Sequence, residues 1–321
     1  MSPEIETVGR IVVGTDGSQR ADKAVEWAAG RAVARRLPLL VVLTLASKEV
    51  LGSEVRGEAV TRHLEELRTI VGQVEAMPAA LRATHPGLDV SSVVVEGTPA
   101  EVLARASKDA ALVVVGARGQ TAPLGVRLLG GVCDAVTAHS HGPVAVIGDD
   151  AHEHPEGPVL VGVDDSASSR AAVKLAFEAA ETRGVPVVAL FAFPYGSADV
   201  TWHSDPSRQN PYSEAHKQQL AGEILDLMSE QIAAHPEVQV EVQVEWGRPQ
   251  DLLVEASKDA GLLVVGSRGR GGFAGLLLGS TSKHVLREAH CPVIVTRGEV
   301  PTETTIWSAA HRLSDARPFV G

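Results

Sequence analysis

The sequence predicts an α/β fold in two tandem domains, each with a parallel β-sheet and helices on both faces. Three observations predict it. The chain repeats itself at a spacing of 148 to 150 residues, which is the size of a domain and indicates a duplication. Each copy alternates short apolar runs with longer helical patterns, which requires right-handed crossovers and parallel strands. Hydrophobic residues make up 44% of the chain but aromatic residues only 3%, an aliphatic composition that suits strands buried on both faces.

The repeat sets the domain boundaries. Ala-Ser-Lys-Asp-Ala at 106–110 recurs at 256–260, and in both places an apolar run and Gly-x-Arg-Gly follow. Val-Gly-Thr-Asp at 13–16 likewise corresponds to Val-Gly-Val-Asp at 161–164. We therefore expect a first domain at 1–149, a polar linker at 150–157, a second domain at 158–298 and an irregular tail at 299–321.

Short β-branched or apolar runs predict five strands in each domain. They lie near 10–15, 38–46, 89–95, 111–116 and 143–148, and near 158–164, 186–193, 238–245, 262–266 and 292–297. The run at 238–245 alternates apolar and polar residues, which favours an exposed edge strand. Between the first two strands, apolar residues from Ala21 to Ala32 recur at three-and-four spacing and predict an amphipathic helix. The stretch from Tyr195 to Tyr212 lacks such periodicity and is predicted to be a loop inserted in the second copy.

Charge and cysteine content restrict the function classes. The formal net charge of −11 argues against broad nucleic-acid binding, which needs a clustered basic surface. Cys133 and Cys291 lie far apart and without metal-ligand spacing, which favours a reducing compartment. The N-terminus lacks the basic start and apolar core of a signal peptide, and the apolar run near 38–46 is too short to cross a bilayer. These features predict a cytoplasmic protein without a membrane or nucleic-acid partner.

A glycine-rich segment after the fourth strand of the second copy predicts a phosphate site. It contains Gly266, Gly269 and Gly279 and then enters a helix at Ser280. A helix N-terminus presents unpaired N–H groups and a partial positive charge to an anion, and glycine lets backbone approach it closely. Asp164, at the end of the first strand, can accept hydrogen bonds from sugar hydroxyls. The alternative for this region is helix capping, with Ser166 or Ser168 as the cap.

These motifs resemble a known family. Gly266-x2-Gly269-x9-Gly279-Ser280 is similar to the nucleotide-binding signature of the ATP-binding branch of the universal stress protein family. The Val-Gly-Val-Asp start, the Gly-Arg-Pro turn at 247–249 and the Cys-Pro-Val strand at 291–293 resemble the same family. The resemblance covers both copies, leaving out only the linker and the tail.

The resemblance implies Rossmann-like domains of the adenine nucleotide alpha hydrolase type, each a five-stranded parallel sheet of order 3-2-1-4-5. It implies that ATP, with or without Mg²⁺, binds the second copy. Residues on the adenosine side would be Gly162, Val163 and Asp164, with Phe193 beside the adenine. Gly266 and Gly269 would approach ribose and phosphate, and Gly279, Ser280 and Thr281 would hold the phosphates. From the residues themselves, the hydroxyl of Ser282 can add a further donor. Members commonly pair through the last strand, which implies an intramolecular pseudo-dimer of the two domains, with a homodimer as a further possibility.

The first copy departs from this pattern. Its corresponding residues are Gly14, Thr15, Asp16, Leu45, Gly116, Gly119, Gly130 and Gly131. Ten residues, rather than nine, separate Gly119 from Gly130, and Gly131, Val132 and Cys133 replace three hydroxyl residues. Losing several hydrogen bonds to phosphate predicts binding weaker by ~10–1000-fold. Alternatively, the extra residue re-aims the loop without loss of affinity.

Other site types have less support in the sequence. Neither Gly-x4-Gly-Lys-Ser/Thr nor Gly-x-Ser-x-Gly occurs, which argues against a P-loop ATPase and a hydrolase elbow. Gly269 to Ala274 matches the loose dinucleotide fingerprint, but it follows a fourth strand instead of a first one. The His139/His141 and His152/His154 pairs are interpreted as surface residues, so no metal site is predicted. Cys133 is expected to pack as a small apolar side chain, with a lowered thiol pKa as the alternative.

The function predicted from the sequence is an ATP-binding, nucleotide-dependent regulator of the stress response without catalytic residues. Arg270 and Lys283 have uncharged or acidic counterparts in the first copy, which also favours phosphate binding in the second. Arg268 would either contact phosphate or brace the loop. The alternatives are a slow ATPase or phosphotransferase that uses Asp164 or Ser280, and a scaffold that binds no nucleotide.

Overall fold

The computed structural model describes residues 5–45, 58–119, 129–152, 154–193, 214–269 and 277–298, with side chains in the helix at 58–84 described from residue 65 onward. The predicted loop from Tyr195 to Tyr212, Arg270 and the tail at 299–321 lie outside these ranges.

Each sequence copy forms five strands and four helices within the described ranges. The elements of the first copy are β1 Ile11–Thr15, α1 Gln19–Arg35, β2 Leu39–Leu45, α2 Glu58–Thr84, β3 Val90–Glu96, α3 Pro99–Ala106, β4 Leu112–Gly116, α4 Gly131–His139 and β5 Val144–Ile147. Those of the second copy are β6 Val159–Gly162, α5 Ala167–Arg183, β7 Val187–Phe193, α6 Glu214–Ala234, β8 Val240–Trp246, α7 Pro249–Ala256, β9 Leu262–Gly266, α8 Ser280–Glu288 and β10 Val293–Thr296. The predicted strands are therefore confirmed to within a few residues.

The chain divides into two compact units. The first combines Met1–Pro155 with Lys283–Val295, and the second combines Glu156–Ser282 with Thr296–Gly321. In the first unit the parallel strands run in the order β3-β2-β1-β4-β5, which confirms the order 3-2-1-4-5. Strand β10 continues this sheet beside β5 in antiparallel orientation, with Ile294 opposite Ala145.

The second unit repeats the arrangement, with parallel strands in the order β8-β7-β6-β9. Strand β8 is at the edge, as its alternating sequence predicted, and its residues range from buried to exposed. The inner strands β6 and β9 are almost fully buried, because helices pack on the sheet and exclude water from both faces.

Serine caps position the helix that follows the first strand of each copy. Ser18 accepts a hydrogen bond from the backbone N–H of Ala21 at the start of α1, and Ser166 accepts one from Ser169 at the start of α5. The predicted apolar face of α1, from Ala21 to Ala32, is buried against the sheet. These helices therefore begin beside the carboxyl ends of β1 and β6. None of the helices in the described ranges has both the length and the apolar character needed to cross a membrane.

Candidate functional site

In the second unit the first strand and the glycine-rich turn meet at the carboxyl edge of the sheet. Asp164 follows β6, and its Oδ1 accepts the backbone N–H of Ser166 at 3.1 Å. Its other oxygen lies so close to Gly269 that a Cβ on that glycine would overlap it. Both segments follow parallel strands, whose carboxyl ends share one edge of the sheet. A side chain at position 269 would have to displace the carboxylate.

Gly279 lies against the same turn. Its backbone N–H donates to the carbonyl oxygen of Ser267 at 2.7 Å, and a Cβ on Gly279 would lie 3.5 Å from Cα of Arg268. Helix α8 begins at the next residue, Ser280. The first turn of this helix therefore starts beside Gly269, where its unpaired N–H groups can face an anion.

The three hydroxyl residues at the start of α8 differ in their surroundings. Ser280 is exposed and Thr281 is partly exposed. Ser282 is 4% exposed, and its Oγ donates to the carbonyl oxygen of Gly266 at 2.6 Å. Because a hydroxyl has a single hydrogen to donate, Ser282 uses it on the turn. Ser280 and Thr281 are the hydroxyls accessible to a ligand.

The turn is also held from the side of α5. The hydroxyls of Ser166 and Ser168 both donate to the carbonyl oxygen of Arg268, the former at 3.2 Å. Asp165, whose φ is +66°, is buried, and its Oδ1 lies 2.8 Å from Nη2 of Arg170. The two serine hydroxyls fix the backbone of the turn, and Arg268 itself is exposed.

Aromatic side chains gather where β7 and β8 end. Phe193, predicted to lie beside an adenine, packs edge-on against Trp246 with ring centroids 4.4 Å apart. The His216 ring lies 6.1 Å from Phe193, also edge-on. The sequence analysis missed Trp246 and His216, and the one signal available was that Trp246 directly precedes the Gly-Arg-Pro turn. Leu45 and Glu96 take the places of Phe193 and Trp246 in the first copy.

The first unit has the same turn geometry. A Cβ on Gly119 would lie 2.9 Å from Oδ2 of Asp16, as in the second copy. The N–H of Gly130 donates to the carbonyl oxygen of Ala117 at 2.8 Å, which matches the bond from Gly279 to Ser267. The extra residue before Gly130 therefore leaves both ends of the segment in equivalent positions. Its own neighbourhood, 120–128, is outside the described residues.

The two copies differ in charge next to the turn. In the first, Oδ2 of Asp149 lies 3.3 Å from Nε of Arg118 and 3.4 Å from Nε of Arg20. Arg20 also donates to the carbonyl oxygen of Gly119 at 3.2 Å. A carboxylate of the chain itself thus pairs with the cations that border this turn. The sequence analysis missed Asp149 because it lies at the domain boundary, outside every recognised motif.

One expectation near the start of α4 needs correction. Cys133 is buried, and burial together with the neighbouring Asp134 raises its pKa to about 12. The alternative of a lowered thiol pKa is wrong, because the desolvation that disfavours a thiolate outweighs the helix N-terminus. Lys283, at the start of α8, places Nζ 3.4 Å from Oδ1 of Asp134, and the expectation that it favours phosphate binding stays a prediction.

Within the described part of the chain, no group of three or more His, Cys, Asp or Glu side chains is placed to hold a metal ion. In the first histidine pair, Nδ1 of His139 lies 2.9 Å from the carbonyl oxygen of Ala135, one turn back in α4. His139 is exposed, which agrees with its interpretation as a surface residue.

The family model described as "Universal stress protein family" matches residues 7–148 and again 157–297. Universal stress protein Rv1996 of Mycobacterium tuberculosis is 36% identical over 316 residues, covering 92% of this chain and 97% of that protein. Universal stress protein Rv2623 of the same organism is 38% identical over 299 residues, covering 89% of this chain and 96% of its own length. The crystal structure of a universal stress protein from Archaeoglobus fulgidus aligns with a TM-score of 0.64 at 21% identity, covering 90% and 98% of the two chains. This last likeness concerns the fold alone.

Proposed function

The chain belongs to the universal stress protein family, with two family domains in tandem, and we propose that it is a nucleotide-dependent regulator of the stress response whose second domain binds ATP. The observation that carries the proposal is the meeting of Asp164, the Gly266–Gly269 turn, and Gly279 with the first turn of α8. This arrangement supports the proposal, because it brings a carboxylate that can accept sugar hydroxyls close to backbone donors that suit a phosphate.

Each part of the site suits one part of an adenine nucleotide. Gly162 and Val163 lead the chain to Asp164, whose carboxylate accepts ribose hydroxyls. Phe193 offers an aromatic edge to the base, and Trp246 supports it at 4.4 Å. The N–H groups at the start of α8 and the hydroxyls of Ser280 and Thr281 hold the phosphates.

The remaining predicted residues support or adjoin the phosphates. Ser282 braces the turn through its bond to Gly266, and Arg268 adds a guanidinium. Mg²⁺ prefers carboxylate, phosphate and water oxygens, and it often keeps several waters. In this site it would be held chiefly by the phosphates, because Asp164, the carboxylate assigned to the site, faces the ribose.

We propose that the first domain binds ATP more weakly or not at all. Gly131, Val132 and Cys133 supply no hydroxyl at the start of α4. Asp149 adds a negative charge that already pairs with Arg118 and Arg20. A phosphate at this turn would have to compete with that carboxylate for the same cations.

The test is calorimetric titration of ATP into nucleotide-stripped protein, with Gly279→Glu and the equivalent Gly130→Glu as a matched pair. The backbone of Gly279 accepts a Cβ without severe overlap, since the nearest atom would be 3.4 Å away. The variant is therefore expected to lower ATP affinity through its added carboxylate, which would repel the phosphates. We expect ATP binding that Gly279→Glu abolishes and Gly130→Glu preserves. Loss in Gly130→Glu alone would place the main site in the first domain. Absence of heat and of retained nucleotide in the parent would refute ATP binding.

Release of phosphate during the same incubation distinguishes a regulator from a slow ATPase or phosphotransferase. Catalysis needs interactions that strengthen in the transition state, such as a positioned base, and Asp164 or Ser280 would have to supply them here. Turnover clearly above that of Gly279→Glu would favour the enzyme. A cytoplasmic location and an intramolecular pseudo-dimer remain parts of the proposal, to be tested by fractionation and by the mass of the protein in solution.

A further inference from the structure

Two arginines leave the sheet side by side at the nucleotide edge of the second unit. Arg268 lies two residues beyond β9, and Arg297 directly follows β10. The residues just before them are hydrogen-bonded to each other, because the N–H of Ser267 donates to the carbonyl oxygen of Thr296 at 2.7 Å. The two arginines therefore start from adjoining points of the backbone.

Arg297 belongs to the same site as the glycine-rich turn. The next residue, Gly298, is packed so tightly on the first turn of α5 that a Cβ would overlap the backbone of Ala167. The hydroxyl of the neighbouring Thr296 donates to the carbonyl oxygen of Ser168 at 2.9 Å. The hydroxyl of Ser168 in turn donates to the carbonyl oxygen of Arg268. Arg297 is thus anchored on both sides to the backbone that supports the turn.

The two guanidinium groups repel each other. Burial lowers the pKa of Arg297, and the positive charge of Arg268 lowers it further. Because an arginine stays protonated in proteins, this proximity of like charges costs free energy in the unliganded protein. An anion between the two groups would offset that cost.

The first copy shows what an anion does at the equivalent place. The N–H of Ala117 donates to the carbonyl oxygen of Ile147 at 2.8 Å, which makes Arg118 the counterpart of Arg268 and Gly148 that of Arg297. Asp149 comes next and pairs with Arg118 at 3.3 Å. Its counterpart in the second copy is Gly298, which has neither a side chain nor room for one. The first copy therefore has the carboxylate of Asp149 beside Arg118, whereas the second copy has a second arginine, Arg297, close to Arg268.

The geometry points to an anion subsite formed by Arg268 and Arg297, which binds the outer phosphates of a nucleoside triphosphate. The inference rests on the proposed function and extends it, because it makes the second domain select triphosphates over monophosphates. Guanidinium groups suit this role, since their planar fork donates two parallel hydrogen bonds to phosphate oxygens. Arg268 lies beside Gly279, so the subsite continues from the first turn of α8.

The test compares the dissociation constants of ATP and AMP for the parent, Arg297→Gln and Arg105→Gln. Arg105 is exposed on α3 of the first unit, so its variant controls for the change in net charge. We expect Arg297→Gln to weaken ATP about 10- to 100-fold, the loss expected for hydrogen bonds to a charged group. AMP, which lacks outer phosphates, should change by less than about threefold. Arg105→Gln should change neither constant.

Four outcomes would contradict part of this reasoning. Equal weakening of ATP and AMP, or ATP binding unchanged in Arg297→Gln, would overturn the subsite and leave ATP binding itself intact. A parent that binds neither nucleotide would refute the proposed function instead. Arg297→Lys keeps the positive charge without the planar guanidinium. It replaces Arg297→Gln in the same measurement if that variant fails to fold. It is expected to bind ATP more weakly than the parent and AMP equally well, and a folded Lys variant with parental selectivity would contradict the need for a guanidinium.

Discussion

Replacing Gly269 by alanine tests how the Asp164 carboxylate is positioned. A Cβ at this position would overlap Oδ2 of Asp164, so the carboxylate must move or the turn must shift. In the first copy the same change at Gly119 brings a Cβ to 2.9 Å from Oδ2 of Asp16, which is also too close. The two variants therefore make an equivalent perturbation in the two domains.

The expected losses of stability and of ATP affinity follow from the hydrogen bonds that Asp164 would lose. Displacing Asp164 bends its hydrogen bond from Ser166, now 3.1 Å long, and should lower the free energy of unfolding by about 0.5–1.5 kcal/mol. It should also remove the hydrogen bond from a ribose hydroxyl to a charged acceptor, worth about 1.5–3 kcal/mol. At ~1.4 kcal/mol per decade, ATP would bind roughly 10- to 100-fold more weakly.

Calorimetry gives the affinity, and urea unfolding shows whether each variant stays folded. Gly119→Ala should lose a similar amount of stability but keep ATP affinity within about twofold of the parent. Parental ATP affinity in a folded Gly269→Ala protein would refute the assignment of Asp164 to the ribose. A larger loss of affinity in Gly119→Ala would show that the first domain holds the main site.

Two further predictions concern buried side chains. Because the pKa of Cys133 is raised to about 12, its thiol should stay protonated and react slowly with a thiol reagent up to mildly alkaline pH; rates that match those in urea would contradict its burial. Phe177→Ala, at a fully buried position on α5, should lower the free energy of unfolding by about 3–5 kcal/mol in a urea titration, and a loss below about 1 kcal/mol would show that this core is loosely packed.

Most of the fold was accessible from the sequence because each copy obeys local rules. Continuous apolar runs identified the inner strands, and the alternation at 238–245 identified β8 as an edge strand. The meeting of Asp164 with Gly269 also followed from a general rule, since both lie just beyond the carboxyl ends of parallel strands.

What the sequence did not reveal depends on contacts between distant segments. Asp149 and Arg297 lie just past the last strand of each copy, and their importance appears only when those strand ends are placed beside the glycine-rich turns. Ser282 looked equivalent to Ser280, but their positions on the first turn of α8 direct one hydroxyl inward and leave the other exposed. The ion pair between Lys283 and Asp134 likewise joins segments that are distant in the sequence, and it forms only in the folded chain.

The antiparallel pairing of β10 with β5 has a consequence for biosynthesis. The first unit is completed by Lys283–Val295, which includes most of β10, whereas its remaining residues end at Pro155. At about 5–20 residues per second, the ribosome needs on the order of ten seconds to make the intervening segment. Throughout that interval the apolar strand Val144–Ile147 presents unpaired N–H and C=O groups on a nascent polypeptide. Chains released early from the ribosome would therefore aggregate through β5, and survival of the newly made protein would depend on how quickly translation reaches Val293.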